Sequence, residues 1–184
     1  MIIIADYNSE WPKEFEKIRA SLLTILQPLV ISIDHIGSTA IPGMSAKDVI
    51  DIQITAHELS SEIIKRLTDA GYEYKESITC DHVPLGDDTN PALWLKLFFK
   101  QSALNRPSNI HVRVLGNPNQ HYPILFRDYL RARPKAAQSI AHIKKQISIR
   151  HADDIDAYYD IKDPVYDLIW YAAQEWEKQN KTLT

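Results

Sequence analysis

Asp51 has the clearest chemical potential in this chain because of what surrounds it. It stands in the run Val49-Ile50-Asp51-Ile52-Gln53-Ile54, downstream of the small-residue turn Gly37-Ser38-Thr39. Alternation with period two puts Ile50, Ile52 and Ile54 on a buried strand face and Val49, Asp51 and Gln53 on the other. A polar turn opposite a carboxylate on a neighbouring strand is one way to build a phosphate-handling site. The same residues also suit a plain strand–loop–strand in which Asp51 makes a structural hydrogen bond. The pattern alone leaves both readings open.

A second polar strand face follows at residues 109–115, where Asn109, His111 and Arg113 alternate with Ile110, Val112 and Val114. An imidazole and a guanidinium on one sheet face suit an anion or a metal-bound phosphate, and equally a face turned to water. Cys80-Asp81-His82 holds two metal-ligand types without a second pair at zinc-site spacing. Asp87-Asp88 could contribute to a magnesium site or simply be solvated. No glycine-rich phosphate loop of the Walker or Rossmann kind is present, and Ser38 lacks the glycines of a nucleophile elbow. Nothing in the pattern supports a Ser38–His111–Asp hydrolase triad. Tyr158-Tyr159-Asp160-Ile161-Lys162 precedes the last expected helix. A lysine at a helix start is unfavourable unless an acid or anion accompanies it, and Asp160 and Asp163 are at hand.

The elements that must position these residues are legible from spacing. Ile2-Ile3-Ile4 reads as a short strand. Ser9 or Asn8 caps a helix with Pro12 in its first turn, a buried stripe of Trp11, Phe15, Ile18, Leu22 and Leu26, and an end at Pro28. Val30–Ile36 is a strand leading into the Gly37-Ser38 turn. After the Asp51 strand, Ser60 or Ser61 caps a helix with core residues Ile63, Ile64 and Leu67, closed by Gly71. Tyr72–Lys75 is a strand, Cys80–Pro91 a loop, and Ala92–Lys100 and Asn109–Leu115 are strands joined through Asn105-Arg106-Pro107-Ser108. Three helices follow. The first is marked by Tyr122, Leu125, Phe126, Tyr129 and Leu130. The second comes after Pro134, and the third carries Val165, Leu168, Ile169, Ala172 and Trp176. Lys178–Thr184 should fray. Strands in the middle followed by helices predict an α+β architecture with a mixed sheet, in one domain spanning residues 1–184.

Composition bounds the class. The 184 residues are 45% hydrophobic and 24% charged, with a net charge of −3, ordinary for a water-soluble globular protein. A single cysteine, Cys80, allows no internal disulfide and fits a reducing compartment. No apolar run is long enough to span a bilayer and no signal-peptide pattern opens the chain, so a cytoplasmic location with no membrane partner is expected. Residues 120–150 hold seven basic side chains (Arg127, Arg131, Arg133, Lys135, Lys144, Lys145, Arg150) against Asp128 alone. Residues 151–184 hold eight acids against three lysines. The basic segment reads mainly as solvated helix faces, with the acidic one as a candidate pairing partner, and as a candidate surface for a phosphate-bearing partner.

Together these residues resemble a known family. Trp11-Pro12 with Phe15, the string His35-Ile36-Gly37-Ser38-Thr39-Ala40-Ile41-Pro42-Gly43, and Ala46-Lys47 with Val49-Ile50-Asp51-Ile52 fall in the order expected of the GrpB family. So do His111-Val112, Phe126-Arg127-Asp128-Tyr129-Leu130-Arg131 and Lys162, a likeness running from about residue 5 to residue 177. The resemblance implies a nucleotidyltransferase-like superfold of the DNA polymerase β type. That superfold's signature is a glycine–serine turn and a carboxylate pair on the next strand. Here Gly37-Ser38 supplies the turn and Asp51 the first carboxylate, with twelve residues (39–50) between.

The resemblance makes Asp51 and His111 the candidate catalytic residues and Asp51 the candidate ligand for Mg²⁺. It makes Gly37, Ser38, Thr39, Lys47, Gln53, Arg113, Arg127 and Lys162 the candidate phosphate or ligand contacts. The second carboxylate position holds Gln53, which offers a neutral oxygen without charge, and Asp48 lies on the wrong strand face to replace it. The implied function is binding of a nucleotide or other phosphorylated small molecule, ahead of nucleic acid, and Gln53 ranks Mg²⁺-dependent nucleotidyl transfer behind binding or an atypical chemistry. The alternative is a non-catalytic accessory or interaction module, since such domains also occur fused to dephospho-CoA kinase. Oligomeric state is left open.

Overall fold

Apolar side chains at helical spacing open the fold. In a computed structural model of the chain, which describes residues 1–101 and 106–182, they form α1 (Trp11–Leu26), with Trp11, Phe15, Leu22 and Leu26 buried. Its N-cap is Glu10, without a side-chain capping bond, rather than Asn8 or Ser9. Asn8 instead accepts the Glu10 N–H at 2.9 Å, one turn element too early to cap the helix. Ile2–Ile4 form no strand: the segment pairs only through Ala5 with Ala46 and through Ile2 N–H with the Ala152 carbonyl.

The strands are β1 (Val30–Ile36), β2 (Ile50–Ala56), β3 (Glu73–Tyr74), β4 (Leu97–Lys100) and β5 (Ser108–Val114), with α2 (Ser61–Asp69) between β2 and β3. They form one mixed sheet in the order β1-β2-β5-β4-β3, in which β2 and β5 run parallel and the other neighbours antiparallel. Ser60 caps α2 by accepting the Ile63 N–H. Gly71, at φ +88, ends it, with Gly71 N–H bonded to the Thr68 carbonyl and Tyr72 N–H to that of Leu67. The strand expected from Ala92 begins only at Leu97, because Asn90 accepts the Ala92 N–H and Pro91 starts a 3₁₀ turn over Pro91–Trp94. Likewise β3 keeps only two residues of Tyr72–Lys75.

One sheet face carries the main core. Ile50, Ile52, Ile54, Ile110, Val112 and Phe99 are fully buried there under α1 and α2. Each such side chain contributes roughly 1.5–3 kcal/mol on burial. A slip of one residue in β2 would turn its three isoleucines to the polar side, so the register of Asp51 is firmly held.

The other face is covered by α3 (Pro118–Ala132), α4 (Pro134–Arg150) and α5 (Ile155–Thr182). A second cluster there joins Ile41 and Met44 to Phe126, Leu130 and Ile140. Helix α5 starts earlier than expected, so Lys162 lies inside it rather than ahead of it. Asn105 of the polar connection and residues 183–184 of the fraying end lie outside the described residues. Among the described residues no helix is long and apolar enough to cross a membrane.

Candidate functional site

Strand register lays out the floor of a cleft of about 630 Å³ between the polar sheet face and the C-terminal helices. Ile36 of β1 pairs with Asp51 of β2, Asp51 with Asn109 of β5, and Asn109 with Lys100 of β4. Two residues farther along, Gln53, His111 and Phe98 form the next row. The alternation read from the sequence therefore puts Asp51 and His111 on one surface.

Gly37 adopts φ 70 and ψ −170, a conformation open essentially to glycine alone. A Cβ there would stand 2.5 Å from Asp51 Oδ2. The turn thus lies directly against the carboxylate, and only glycine permits the approach. Ser38–Ala40 continue as a 3₁₀ turn, with Thr39 buried and its hydroxyl 2.9 Å from His35 Nε2. Asp51 Oδ1 accepts the Asn109 amide at 2.8 Å. Burial pushes the Asp51 carboxyl up, against the pull of that bond and of Lys144 and Lys162.

Three lysines from three segments converge here. Lys144, on the buried stripe of α4 and only 4% exposed, donates to Ser38 Oγ at 2.8 Å and to the Ser45 carbonyl at 3.1 Å. Burial pushes it down to about 7, with Asp51 opposing and the charges of Lys162 and Lys47 assisting. Lys47 lies 4.5 Å from the ring centre of Tyr158 and 5.2 Å from that of Tyr159. Burial and then Lys162 lower it as well. Lys162 stands over Tyr166 at 4.0 Å and ion-pairs with Asp163. Tyr159, Lys162 and Tyr166 share one face of α5 at spacings of three and four. Tyr166 is pushed up to about 12 by burial, partly offset by its hydrogen bond with Ser38.

The far wall is a buried ionic network. Arg113 donates from Nε to Asp81 Oδ2 at 2.8 Å, from Nη2 to Asp81 Oδ1 at 2.9 Å, and from Nη1 to Gln53 Oε1 at 2.8 Å. Lys96 donates to Asp81 Oδ1 at 2.7 Å. Burial works to raise the Asp81 carboxyl, but Arg113 and Lys96 outweigh it and hold it well below the usual carboxylate range. Gln53, fully buried, also donates from Nε2 to the Gln120 carbonyl at 2.8 Å. His111 Nδ1 faces Arg113 Nη2 at 3.3 Å, and since arginine can only donate, the imidazole accepts there. Burial, then the charges of Arg113 and Lys96, keep His111 neutral.

Of the residues singled out in the sequence, Gly37, Ser38, Thr39, Lys47, Asp51, His111, Arg113 and Lys162 line the cleft. Gln53 lies beneath it, with both amide ends committed to protein partners. Arg127 does not reach it: its guanidinium binds the His35 carbonyl at 3.0 Å and Asp128 at 2.7 Å, with Asp34 at 3.8 Å. The basic helices are less solvated than expected, since Arg127, Arg131 and Lys144 all turn inward onto carbonyl or hydroxyl oxygens of residues 35–45. Lys145 pairs with Asp6 rather than with the acidic C-terminal segment. Asp81 is a counter-ion, His82 binds Asp167 at 3.1 Å, and Asp87 accepts the Trp170 indole N–H at 2.8 Å. In the sequence Lys144 stands out only as one of the seven basic residues of 120–150, Tyr158 and Tyr159 only as the run leading to Lys162, and Tyr166 not at all. The available signal for Lys144 was a lysine on the apolar stripe of Ile140, Ala141 and Ile147.

The residues present do not fit a two-metal carboxylate centre. Asp51 has one oxygen bonded to Asn109 and faces lysines, Gln53 is locked by Arg113, and the paired β5 positions are Asn109 and His111. Among the described residues no three His, Cys, Asp or Glu side chains are grouped as a metal site.

Comparison with known proteins agrees with the fold. The chain is 38% identical over 183 residues to a dephospho-CoA kinase of Mycolicibacterium paratuberculosis, covering 92% of this chain and 45% of that one. It is 32% identical over 174 residues to UPF0157 protein YqkA of Bacillus subtilis, covering 94% and 47%. The chain thus spans about half the length of these curated relatives. The crystal structure of the conserved protein GrpB from Enterococcus faecalis superposes with a TM-score of 0.77 at 27% identity, covering 95% of this chain and 99% of that one. A Cid1 poly(U) polymerase superposes at 0.51 with 12% identity, over 79% of this chain and 43% of that one. That likeness is one of fold alone, and the fold is nucleotidyltransferase-like. With the model for GrpB protein matching residues 1–171, the chain belongs to the GrpB protein family.

Proposed function

We propose that this GrpB-family chain binds a nucleotide or related phosphorylated small molecule in the cleft, with phosphate seated between the Gly37–Ser38 turn and Lys47, Lys144 and Lys162. The observation that carries this is the convergence of the three lysines, from the segment before β2, from α4 and from α5, on one cleft beside Asp51, with Lys144 bonded to the turn itself. Cations brought together against their mutual repulsion mark a place where an anion is expected. Phe98 and Tyr122 also line the cleft and offer apolar faces for a base or other planar group. Nucleotidyl transfer by a metal–carboxylate route finds no support in these side chains, so the reading is of a binding site. Cys80, the single cysteine, is in keeping with a reducing, cytoplasmic setting.

The test is a thermal-shift panel of nucleoside mono-, di- and triphosphates, coenzyme A, dephospho-CoA and sugar phosphates, followed by calorimetry. The two coenzymes are included because relatives about twice as long are named dephospho-CoA kinases. A shift that Lys162→Met weakens supports the reading. A flat response across every phosphorylated compound overturns it.

A further inference from the structure

In a carboxylate-lined nucleotide site, divalent cations stand between acidic side chains and phosphate. Here the charge runs the other way. At the positions facing the Gly37–Ser38 turn, β2 and β5 offer one carboxylate, Asp51, beside the neutral amide of Asn109. Gln53 is closed off by Arg113 and the Gln120 carbonyl. Around Asp51 stand Lys144, Lys162 and Lys47, each close enough to bear on its charge or on one another's.

The partners of these lysines are equally telling. Lys144 is held by a hydroxyl and a carbonyl, both neutral, and Lys47 by two aromatic rings. An ammonium this deeply buried whose hydrogen-bond partners are all neutral is costly to the fold, and Asp51 offsets that cost only through space. Such a cost is offset when an anion arrives, which suits a binding group.

We propose that the three lysines take the place of divalent cations, so that the phosphorylated ligand is held without metal and Asp51 serves as counter-ion to the lysines rather than as a metal ligand. This rests on the phosphate reading above and specifies how that site balances charge. Two consequences follow for the ligand. Its phosphate must arrive free of Mg²⁺, since a bound dication would meet three ammonium groups. Removing the Asp51 charge should strengthen anion binding, where at a metal site it would abolish it.

The test uses the full chain, titrated calorimetrically with inorganic pyrophosphate and with ATP, once with EDTA and once with excess Mg²⁺. Wild type should bind at least one of them in EDTA, and no more tightly with Mg²⁺. Lys162→Met and Lys144→Met should each weaken binding about tenfold. Asp51→Asn should bind as tightly as wild type or more so. Lys162 is the safer variant, its side chain being 16% exposed against 4% for Lys144, and circular dichroism checks that both variants fold. Binding that appears only with Mg²⁺ and disappears in Asp51→Asn overturns the lysine proposal while leaving the phosphate reading intact. If neither anion binds under either condition and the nucleotide panel is also flat, the phosphate reading itself fails, and this proposal with it.

Discussion

The ammonium nitrogen of Lys144 lies 2.8 Å from Ser38 Oγ across 106 residues of chain. That bond ties α4 to the turn after β1, and Lys144 reaches on to the Ser45 carbonyl at the far end of the same loop. A single buried lysine therefore braces the whole Gly37–Ser45 segment against the helical layer. It also sets up a conflict between charge and burial that a change of pH can read.

Lys144 should make stability rise with pH. Its folded pKa is about 7, set by burial and the charges of Lys162 and Lys47 against Asp51, with Ser38 and Tyr166 as neutral neighbours. Below pH 7 the lysine is charged in both folded and unfolded chains. Between pH 7 and the ordinary lysine range the unfolded chain binds the extra proton. Over that window wild type should therefore gain about 1 kcal/mol per pH unit relative to Lys144→Met. Urea unfolding of both proteins at a series of pH values checks it. Parallel pH profiles would mean that Lys144 is not neutralised by folding.

His35 should act in the same direction on the acid side. It is 6% exposed, stacked on Phe15 at 4.7 Å and bonded to Thr39. Burial, then Arg131 and Arg127, lower it to about 4. Its contribution is complete above pH 6.5 and is lost as the pH falls from there to 4, at about 1 kcal/mol per unit. Unfolding curves for wild type and His35→Gln should converge across that window. A constant difference between them would remove His35 from the acid limb.

Gly37→Ala combines a forbidden backbone conformation with a clash. The φ of +70 costs roughly 1–2 kcal/mol for any other residue. The new Cβ, 2.5 Å from Asp51 Oδ2, must also displace the carboxylate, at about 1–3 kcal/mol. A loss of about 2–5 kcal/mol in chemical denaturation is expected, with weakened anion binding in the fraction that folds. A neutral substitution would show that the turn can relax.

Arg127→Ala separates a brace from a ligand contact. Its bonds to the His35 carbonyl and Asp128 should be worth about 1–3 kcal/mol of stability. Because the guanidinium is held by the His35 carbonyl and Asp128 and does not line the cleft, affinity for any phosphorylated ligand should stay within about twofold. A tenfold loss of affinity at full occupancy of the folded state would put Arg127 back in the site.

The sequence resolved the parts of this protein that depend on local period and on glycine. Alternation placed Asp51 with Gln53, and His111 with Arg113, on shared strand faces, because a strand that buries Ile50, Ile52 and Ile54 has no other register. The Gly37-Ser38 string was legible because its glycine is required by a backbone conformation. The family and the nucleotidyltransferase-like fold were legible from the same residues. What lay beyond reach depended on side chains brought together from far apart. Arg113 read as a phosphate contact until Asp81, thirty-two residues away in sequence, was found to hold it. Arg127 read the same way until it was seen to turn onto His35. Lys144 carried no motif at all, only its place on an apolar helical stripe. By itself the sequence determined the strand faces, the turn and the one carboxylate, since these follow from steric period and backbone geometry. Only the tertiary structure decided that lysines from three segments surround that carboxylate, because charge at a site is a sum over neighbours that no local pattern records.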